Sequence, residues 1–460
     1  MEQTPVTDRR SFLSKIGVAV GSVGLASATG GSTVSHAQQA PAKGKIPDTP
    51  YKVGHMTFLT SAAAVLGEPS LKGHTLAAEE INAQGGFLGK RKIETITADE
   101  AAGTDANVKE LRRMKLDGKI DLFTGIISSG NTPALGPVAE ELSLLTMFVD
   151  GCTDFLFDKA VPNPKYVFRM TNIQSADGIT AAIGAAQAWP QVRKIAHIHP
   201  DYSYGRNASE HFTLALERML PGVEVVSESW PKLGTTDFTA HITKTMSAAP
   251  DLLFSSVWGG DYVALYKQAL RYGLFDKMKV ATTLAFGVAP HAIGKDHPEG
   301  ILAGVHSNYH FTYPGGDRWP VNKTFVQKYF ARWKEYPNFQ AEGAYVTLHF
   351  LKTAIERANK LTGGWPDDEA IISQMEGLGM DTPSGYLYMR PDHQGYKDAV
   401  TGFSKNLPQY DFAVWDPDRI ITIPIRNITA PMGWPKPGTS HNESTAAANW
   451  IKTTWPKATA

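Results

Sequence analysis

The chain has 460 residues, 45 basic and 45 acidic side chains, and a single cysteine, Cys152. That length predicts two or three domains. The balanced charge leaves no net field to attract nucleic acid or an anionic membrane, and one cysteine excludes an internal disulfide and the usual Cys-based zinc sites.

The N-terminus carries the most specific local signal. Asp8-Arg9-Arg10-Ser11-Phe12-Leu13-Ser14-Lys15 resembles the twin-arginine export motif, and a weakly apolar, Gly/Ala-rich stretch follows at 16–28. That stretch is too short and too mild to span a bilayer. Ser35-His36-Ala37 has the small-x-small form of a cleavage site, so 1–37 is predicted to be a signal peptide removed on export to the periplasm. Residues 38–50 (QQAPAKGKIPDTP) have no periodicity and read as an unstructured linker. No later segment reaches about 18 consecutive apolar residues, which predicts a soluble mature protein.

From Tyr51 onward strands and helices alternate. Residues 51–59 read as a strand. Residues 68–83 read as a helix, with Leu71, Leu76, Ala77 and Ile81 near 3.6 spacing and Gly85-Gly86 to stop it. A strand at 92–98 precedes a helix at 104–116 with Thr104 as its N-cap. The apolar runs 122–127 and 144–149 suit parallel strands buried on both faces, and Pro133 opens a helix between them. Residues 165–171 form a further strand, after which the pattern restarts. Helices are predicted at 175–188, 205–219, 237–248 (capped by Asp237) and 262–272, and strands at 192–199, 223–227, 251–257 and 279–283. A strand at 300–307, two long helices at 321–336 and 341–359, a hairpin at 381–394 and strand pieces within 409–425 complete the body. Repeated βα units imply parallel sheets covered on both faces, and their number implies two doubly wound α/β lobes. The last segment, rich in Pro, Thr and Ala and carrying Trp434, Trp450 and Trp455, is expected to pack over the surface.

Two polar turns, Ser128-Ser129-Gly130-Asn131 and Asp150-Gly151-Cys152-Thr153, fall at the carboxyl ends of predicted parallel strands. Ligands bind there in open α/β sheets. Hydroxyls, an amide and backbone N–H groups make these turns half of a small-molecule site, or else Gly and Ser serve the turns alone. His197 and His199 share one strand face, but no third ligand is identifiable and zinc needs three or four, so no metal is expected. No Gly-x-Ser-x-Gly elbow, phosphate-binding loop or His-Glu-x-x-His is present; neither catalysis nor a cofactor is predicted.

In their order along the chain, several short motifs are similar to those of the leucine/isoleucine/valine-type periplasmic binding proteins, the substrate-binding components of ABC importers. They are the opening 53–89, with Glu80-Ile81-Asn82-Ala83 before Gly85-Gly86; Val167-Phe168-Arg169; the run from Asp201 to Gly205; Asp237-Phe238-Thr239; and Asp392-His393-Gln394. The resemblance covers roughly 51–425. It implies two Rossmann-like lobes joined by three hinge crossings and closing on a ligand. Lobe 1 would be 51–170 plus 305–380 and lobe 2 would be 171–304 plus 381–425, leaving 426–460 as a C-terminal extension. The partners implied are a small-molecule solute and an ABC permease in the inner membrane.

Carried over residue by residue, the first-lobe contacts of the family fall on Leu66, Ser128, Ser129, Asn131, Gly151, Cys152 and Thr153, and the second-lobe contacts on Tyr204, Trp258 and Phe286. Amino-acid binders place an acidic residue where this chain has Leu284-Ala285-Phe286. A buried ammonium without a counter-charge is costly. The expected solute is therefore a carboxylate or amide with an apolar or aromatic body, with Asp261 as an alternative source of charge that would readmit α-amino acids. A ligand sensor feeding a receptor kinase is the alternative function.

Overall fold

A computed structural model describes residues 44–284, 289–304, 309–315, 318–435 and 442–456. The expected signal peptide and the start of the linker lie outside the described residues. The remainder of the linker is not a free tether. Arg91 donates from Nε to the Thr49 carbonyl (3.1 Å), and Lys90 pairs with Asp48 (2.6 Å).

The first half of the body alternates as its periodicity requires: β1 (Tyr51–Thr57), α1 (Ala64–Ala83), β2 (Ile93–Asp99), α2 (Thr104–Leu116), β3 (Leu122–Gly125), α3 (Thr132–Glu141), β4 (Thr146–Phe148) and β5 (Val167–Arg169). These strands form a parallel sheet in the order β2-β1-β3-β4-β5. Strands β3 and β4 are buried at every residue, which is why they read as unbroken apolar runs. Thr104 is the first residue of α2 and not its cap; its hydroxyl is turned to Asn131 Oδ1 (2.8 Å).

The pattern then repeats with α4 (Gln174–Ala188), β6 (Lys194–Ile198), α5 (Ser203–Met219), β7 (Glu224–Ser229), α6 (Thr239–Ser247), β8 (Leu252–Ser255), α7 (Gly259–Arg271), β9 (Lys279–Thr282), α8 (Ala289–Ile293) and β10 (Leu302–Gly304). Asp237 accepts the Thr239 N–H (2.9 Å) at the start of α6. The chain next contributes α9 (Pro320–Trp333), α10 (Phe339–Thr362) and α11 (Asp368–Met375) to the first lobe. Helix α10 lies directly on α1, where a Cβ on Gly73 would sit 2.0 Å from the Ala341 carbonyl oxygen. The close approach of the two helices therefore requires glycine at that position.

A three-stranded sheet follows: β11 (Gly379–Thr382), β12 (Gly385–Met389) and β13 (Gly395–Tyr396). The expected lobe boundary at 380/381 falls inside β11, and Leu387 and Met389 pack into the core of the first lobe with Val53, Leu348 and Phe168. The chain enters the second sheet only with β14 (Ala399–Lys405), continued by β15 (Val414–Ile423). That sheet runs β15-β14-β10-β9-β8-β6-β7, with β14 and β15 antiparallel to their neighbours. The sequence analysis assigned no strand at β14. In the sheet Gly402 faces the Trp415 ring, where a Cβ would come within 3.0 Å.

The extension does more than cover the surface. Helix α12 (Ala446–Thr453) packs on α5, and Trp450, Ile451 and Trp455 are buried in the core of the second lobe. Thr445 caps the helix at the Ala448 N–H (3.0 Å) and bonds His211 Nε2 (2.8 Å). The Ala446 N–H donates to Asp158, in the segment between β4 and β5 (2.8 Å).

Candidate functional site

In the first sheet β1 is flanked by β2 and β3, and in the second β6 is flanked by β7 and β8. The chain reverses direction across the sheet at both places. Side chains beyond these strand ends meet in one crevice.

The turn after β3 wraps around Glu100, which is buried. Its carboxylate accepts the Ile127 N–H, the Ser128 N–H and Asn131 Nδ2, each at 2.8 Å. Burial pushes this carboxyl up to about 7, against the pull of those three donors. Ser128 Oγ accepts the Gly130 N–H (3.3 Å).

The turn after β4 is organised by a base. Arg169 is fully buried and donates to the Thr153 carbonyl (2.6 Å), the Gly151 carbonyl (3.4 Å) and Gln394 Oε1 (2.8 Å). Gln394 in turn donates to the Thr171 carbonyl (2.6 Å), so one guanidinium ties the turn to two chain crossings. Gly151 has φ +65°, and a Cβ there would lie 2.2 Å from Thr132 Cγ2. No other residue fits.

Between the lobes lies a small cavity. The first lobe supplies Leu66, Ile127, Ser129, Asp150, Cys152 and Phe339; the second supplies Tyr202, Tyr204, Trp258 and Leu284. Tyr204 Oη pairs with Thr283 Oγ1 (2.9 Å), and Trp258 Nε1 donates to Tyr202 Oη (3.1 Å). Asp150 accepts from Gln340 Nε2. Ser129 Oγ lies 3.7 Å from Cys152 Sγ. The lobes are closed: the Gly260 N–H donates to the Ala62 carbonyl (3.2 Å), and a Cβ on Gly260 would lie 2.7 Å from Ala62 Cβ.

Of the expected contact residues, Leu66, Ser129, Cys152, Tyr204 and Trp258 line this cavity. Ser128, Asn131, Gly151 and Thr153 do not; their polar groups hold the two turns together. Phe286 lies outside the described residues. Asp261 is not the missing acid. It accepts the Gly234 N–H (2.7 Å) and borders a separate pocket with Phe58, Ala62 and Leu233. The acid in the cavity is Asp150, which sequence reasoning treated as a turn former. Phe339 arrives on α10 and carries no local signal.

His197 and His199 are buried and wired in series, His197 Nδ1 to His199 Nε2 (2.8 Å) and His199 Nδ1 to Ser256 Oγ (2.7 Å). Burial lowers both imidazole pKa values. No group of three or more potential metal-ligating side chains occurs among the described residues.

Residues 50–402 match the family model described as periplasmic binding protein. The chain belongs to that family. Leu/Ile/Val-binding protein homolog 3 of Brucella melitensis is 25% identical over 378 residues, covering 80% of this chain and 92% of that one. Among solved structures, a solute-binding protein of an ABC transporter from Rhodopseudomonas palustris BisB5, in complex with 3,4-dihydroxy benzoic acid, superposes with a TM-score of 0.70. It is 21% identical, with 83% of this chain and all of that chain covered. An amino-acid ABC transporter substrate-binding protein from Pseudomonas fluorescens Pf-5 gives 0.71 at 19% identity, with 83% and 97% covered. This periplasmic binding protein has the two-lobed type I α/β fold. It is not an enzyme, and the family places it outside the cytoplasm.

Proposed function

We propose that this binding protein captures a small organic carboxylate or amide with an apolar or aromatic body for import. The observation that carries this reading is the cavity wall. Tyr202, Tyr204, Trp258 and Phe339 surround the cavity with Leu66, Ile127 and Leu284, and Ser129, Asp150 and Cys152 supply its other side chains. Aromatic faces hold a ring in offset or edge-to-face contact worth about 0.5–1.5 kcal/mol beyond burial. The relative that holds 3,4-dihydroxy benzoic acid has the same fold. Leu66, Ser129 and Cys152 contact the solute from one lobe, and Tyr204 and Trp258 from the other. Ser128, Asn131, Gly151 and Thr153 shape the turns. The lobes exchange chain near 170, between β10 and α9 and near 395, and closure traps the solute between them.

Residues 1–37 direct export by the twin-arginine route; replacing Arg9 and Arg10 by Lys is expected to leave the precursor in the cytoplasm. The solute assignment is tested by a thermal-shift screen of the chain from Gln38 onward against aromatic acids, aromatic amides, aliphatic acids and branched amino acids. A ligand that binds only the native state raises the midpoint by mass action. Ring compounds are expected to shift it and leucine is not. The reverse result would favour an α-amino acid, a reading that Asp150 supports by placing an acid in the cavity.

A further inference from the structure

We infer that His199 and Ser256 are positioning residues for the cavity: with His197 and Thr213 they form a hydrogen-bonded chain behind its aromatic wall that sets where Trp258 meets Tyr202. The inference rests on the reading of this cavity as the solute site. Tyr202 and Tyr204 follow β6, and Trp258 follows β8. The front of the wall is tied by Trp258 Nε1, which donates to Tyr202 Oη (3.1 Å). Its rear is tied where the same two turns begin, at His199 and Ser256.

One bond fixes the direction of this chain. The Ser256 backbone N–H can only donate, and it donates to His199 Nδ1 (3.1 Å). Nδ1 is therefore the unprotonated nitrogen, and the Ser256 hydroxyl, at 2.7 Å, also donates to it. His199 then carries its proton on Nε2 and donates to His197 Nδ1 (2.8 Å). That leaves the His197 proton on Nε2, facing Thr213 Oγ1 (3.2 Å). Every bond runs one way, from Ser256 to Thr213. A second proton on His199 would set Nδ1–H against the Ser256 N–H; one on His197 would set the two rings donor against donor. The surroundings keep both rings neutral. Phe254 lies edge-on to each, and burial lowers His197 to about 3 and His199 well below its ordinary 6.5. The charged groups beside the chain are few. Arg206 of α5 bears on His199, but it is paired with Asp201 (2.6 Å) and lies over the Trp230 ring (3.7 Å). Glu228 of β7 is the register partner of His197 and is exposed, and its carbonyl accepts from Lys244 of α6. Ser255 separately donates to the Ile198 carbonyl (2.8 Å), which holds the strand ends together when the chain is cut.

The test reads the wall with no solute present, so it fails separately from the solute assignment. Nitrogen NMR of the imidazoles in the chain from Gln38 onward is expected to show Nε2–H tautomers for both His197 and His199 at neutral pH. An Nδ1–H tautomer or a cation at His199 overturns the inference. The wall itself is read by fluorine NMR of fluorotryptophan-labelled protein, with the Trp258 line assigned from Trp258→Phe. His199→Phe removes the acceptor at constant size and is expected to move the Trp258 line or broaden it at least twofold. His199→Asn, whose amide oxygen can take the place of Nδ1, is expected to restore it. Should His199→Phe not fold, Ser256→Ala takes its place, since it keeps the N–H and loses only the hydroxyl. A Trp258 line unchanged in the folded variant, or no rescue by Asn, overturns the inference. A pH profile adds a sign. The unfolded chain takes up a proton on His199 below 6.5 and the folded chain does not, so this group's stabilisation is complete above 6.5 and is lost as pH falls. The melting midpoint of the native chain is expected to fall more steeply than that of His199→Asn below 6.5; parallel profiles overturn the neutral chain.

Discussion

After β3 the chain turns around Glu100; after β4 it turns around Arg169. As sequence the two turns look alike, short and polar with a glycine in each. The acid behind the first collects N–H groups from Ile127 and Ser128 and the amide of Asn131, leaving Ser129 as its polar contribution to the cavity. The base behind the second collects carbonyls from Gly151 and Thr153, and Asp150 and Cys152 line the cavity. The charge standing behind a turn decides which backbone groups remain for a ligand.

Removing the base should have the largest effect. Arg169→Met leaves Asp154 and Asp158 without the cation beside them and frees the two turn carbonyls and Gln394. Breaking a buried ionic cluster from one side costs about 3–5 kcal/mol. Urea unfolding should show that loss, together with loss of solute binding; a change under about 1 kcal/mol would mean the turn is held by other contacts.

Removing the acid should cost somewhat less. Glu100→Ala orphans three donors, each buried unsatisfied group costing about 1–3 kcal/mol before water returns. The net expectation is a loss of about 2–3 kcal/mol by urea unfolding. Glu100→Gln separates charge from shape. In the folded chain this carboxyl titrates at about 7 and not at its ordinary 4.5. Folding therefore keeps a proton that the unfolded chain releases. The group's contribution is fully present below pH 4.5 and is lost as pH rises towards 7. Across that window Glu100→Gln should gain on the native chain by up to roughly 3 kcal/mol. A pH-independent difference between the two chains would show that Glu100 is ionised throughout.

Closure brings both turns against the second lobe through the Gly260–Ala62 contact. Gly260→Val should lower solute affinity at least tenfold, read by calorimetry, while the melting midpoint without solute stays within a few degrees. Unchanged affinity would show that the lobes close along another path. The smallest effect is expected behind the second turn. Asp158→Ala removes the acceptor of the Ala446 N–H, a helix-end contact worth about 1 kcal/mol. Stability should fall by that amount and affinity should move less than threefold; a larger affinity change would couple the extension to the cavity.

By itself the sequence determined the α/β architecture and the family resemblance, and that resemblance pointed to Leu66, Ser129, Cys152, Tyr204 and Trp258, which line the cavity. Periodicity and strand-end position are local properties, written within about ten residues of each side chain. Only the tertiary structure decided what those positions do. Glu100 reaches a turn 27 residues away, and Arg169 meets Gln394 across 225 residues. Phe339 and Gln340 come to the cavity on α10, which the chain reaches only after building β6 to β10 of the second sheet. The extension found its place the same way, because the surface that buries Trp450 and Trp455 exists only once α4, α5 and β14 have packed. Strand order and lobe closure set these pairings, and neither is encoded in the residues on either side of a turn.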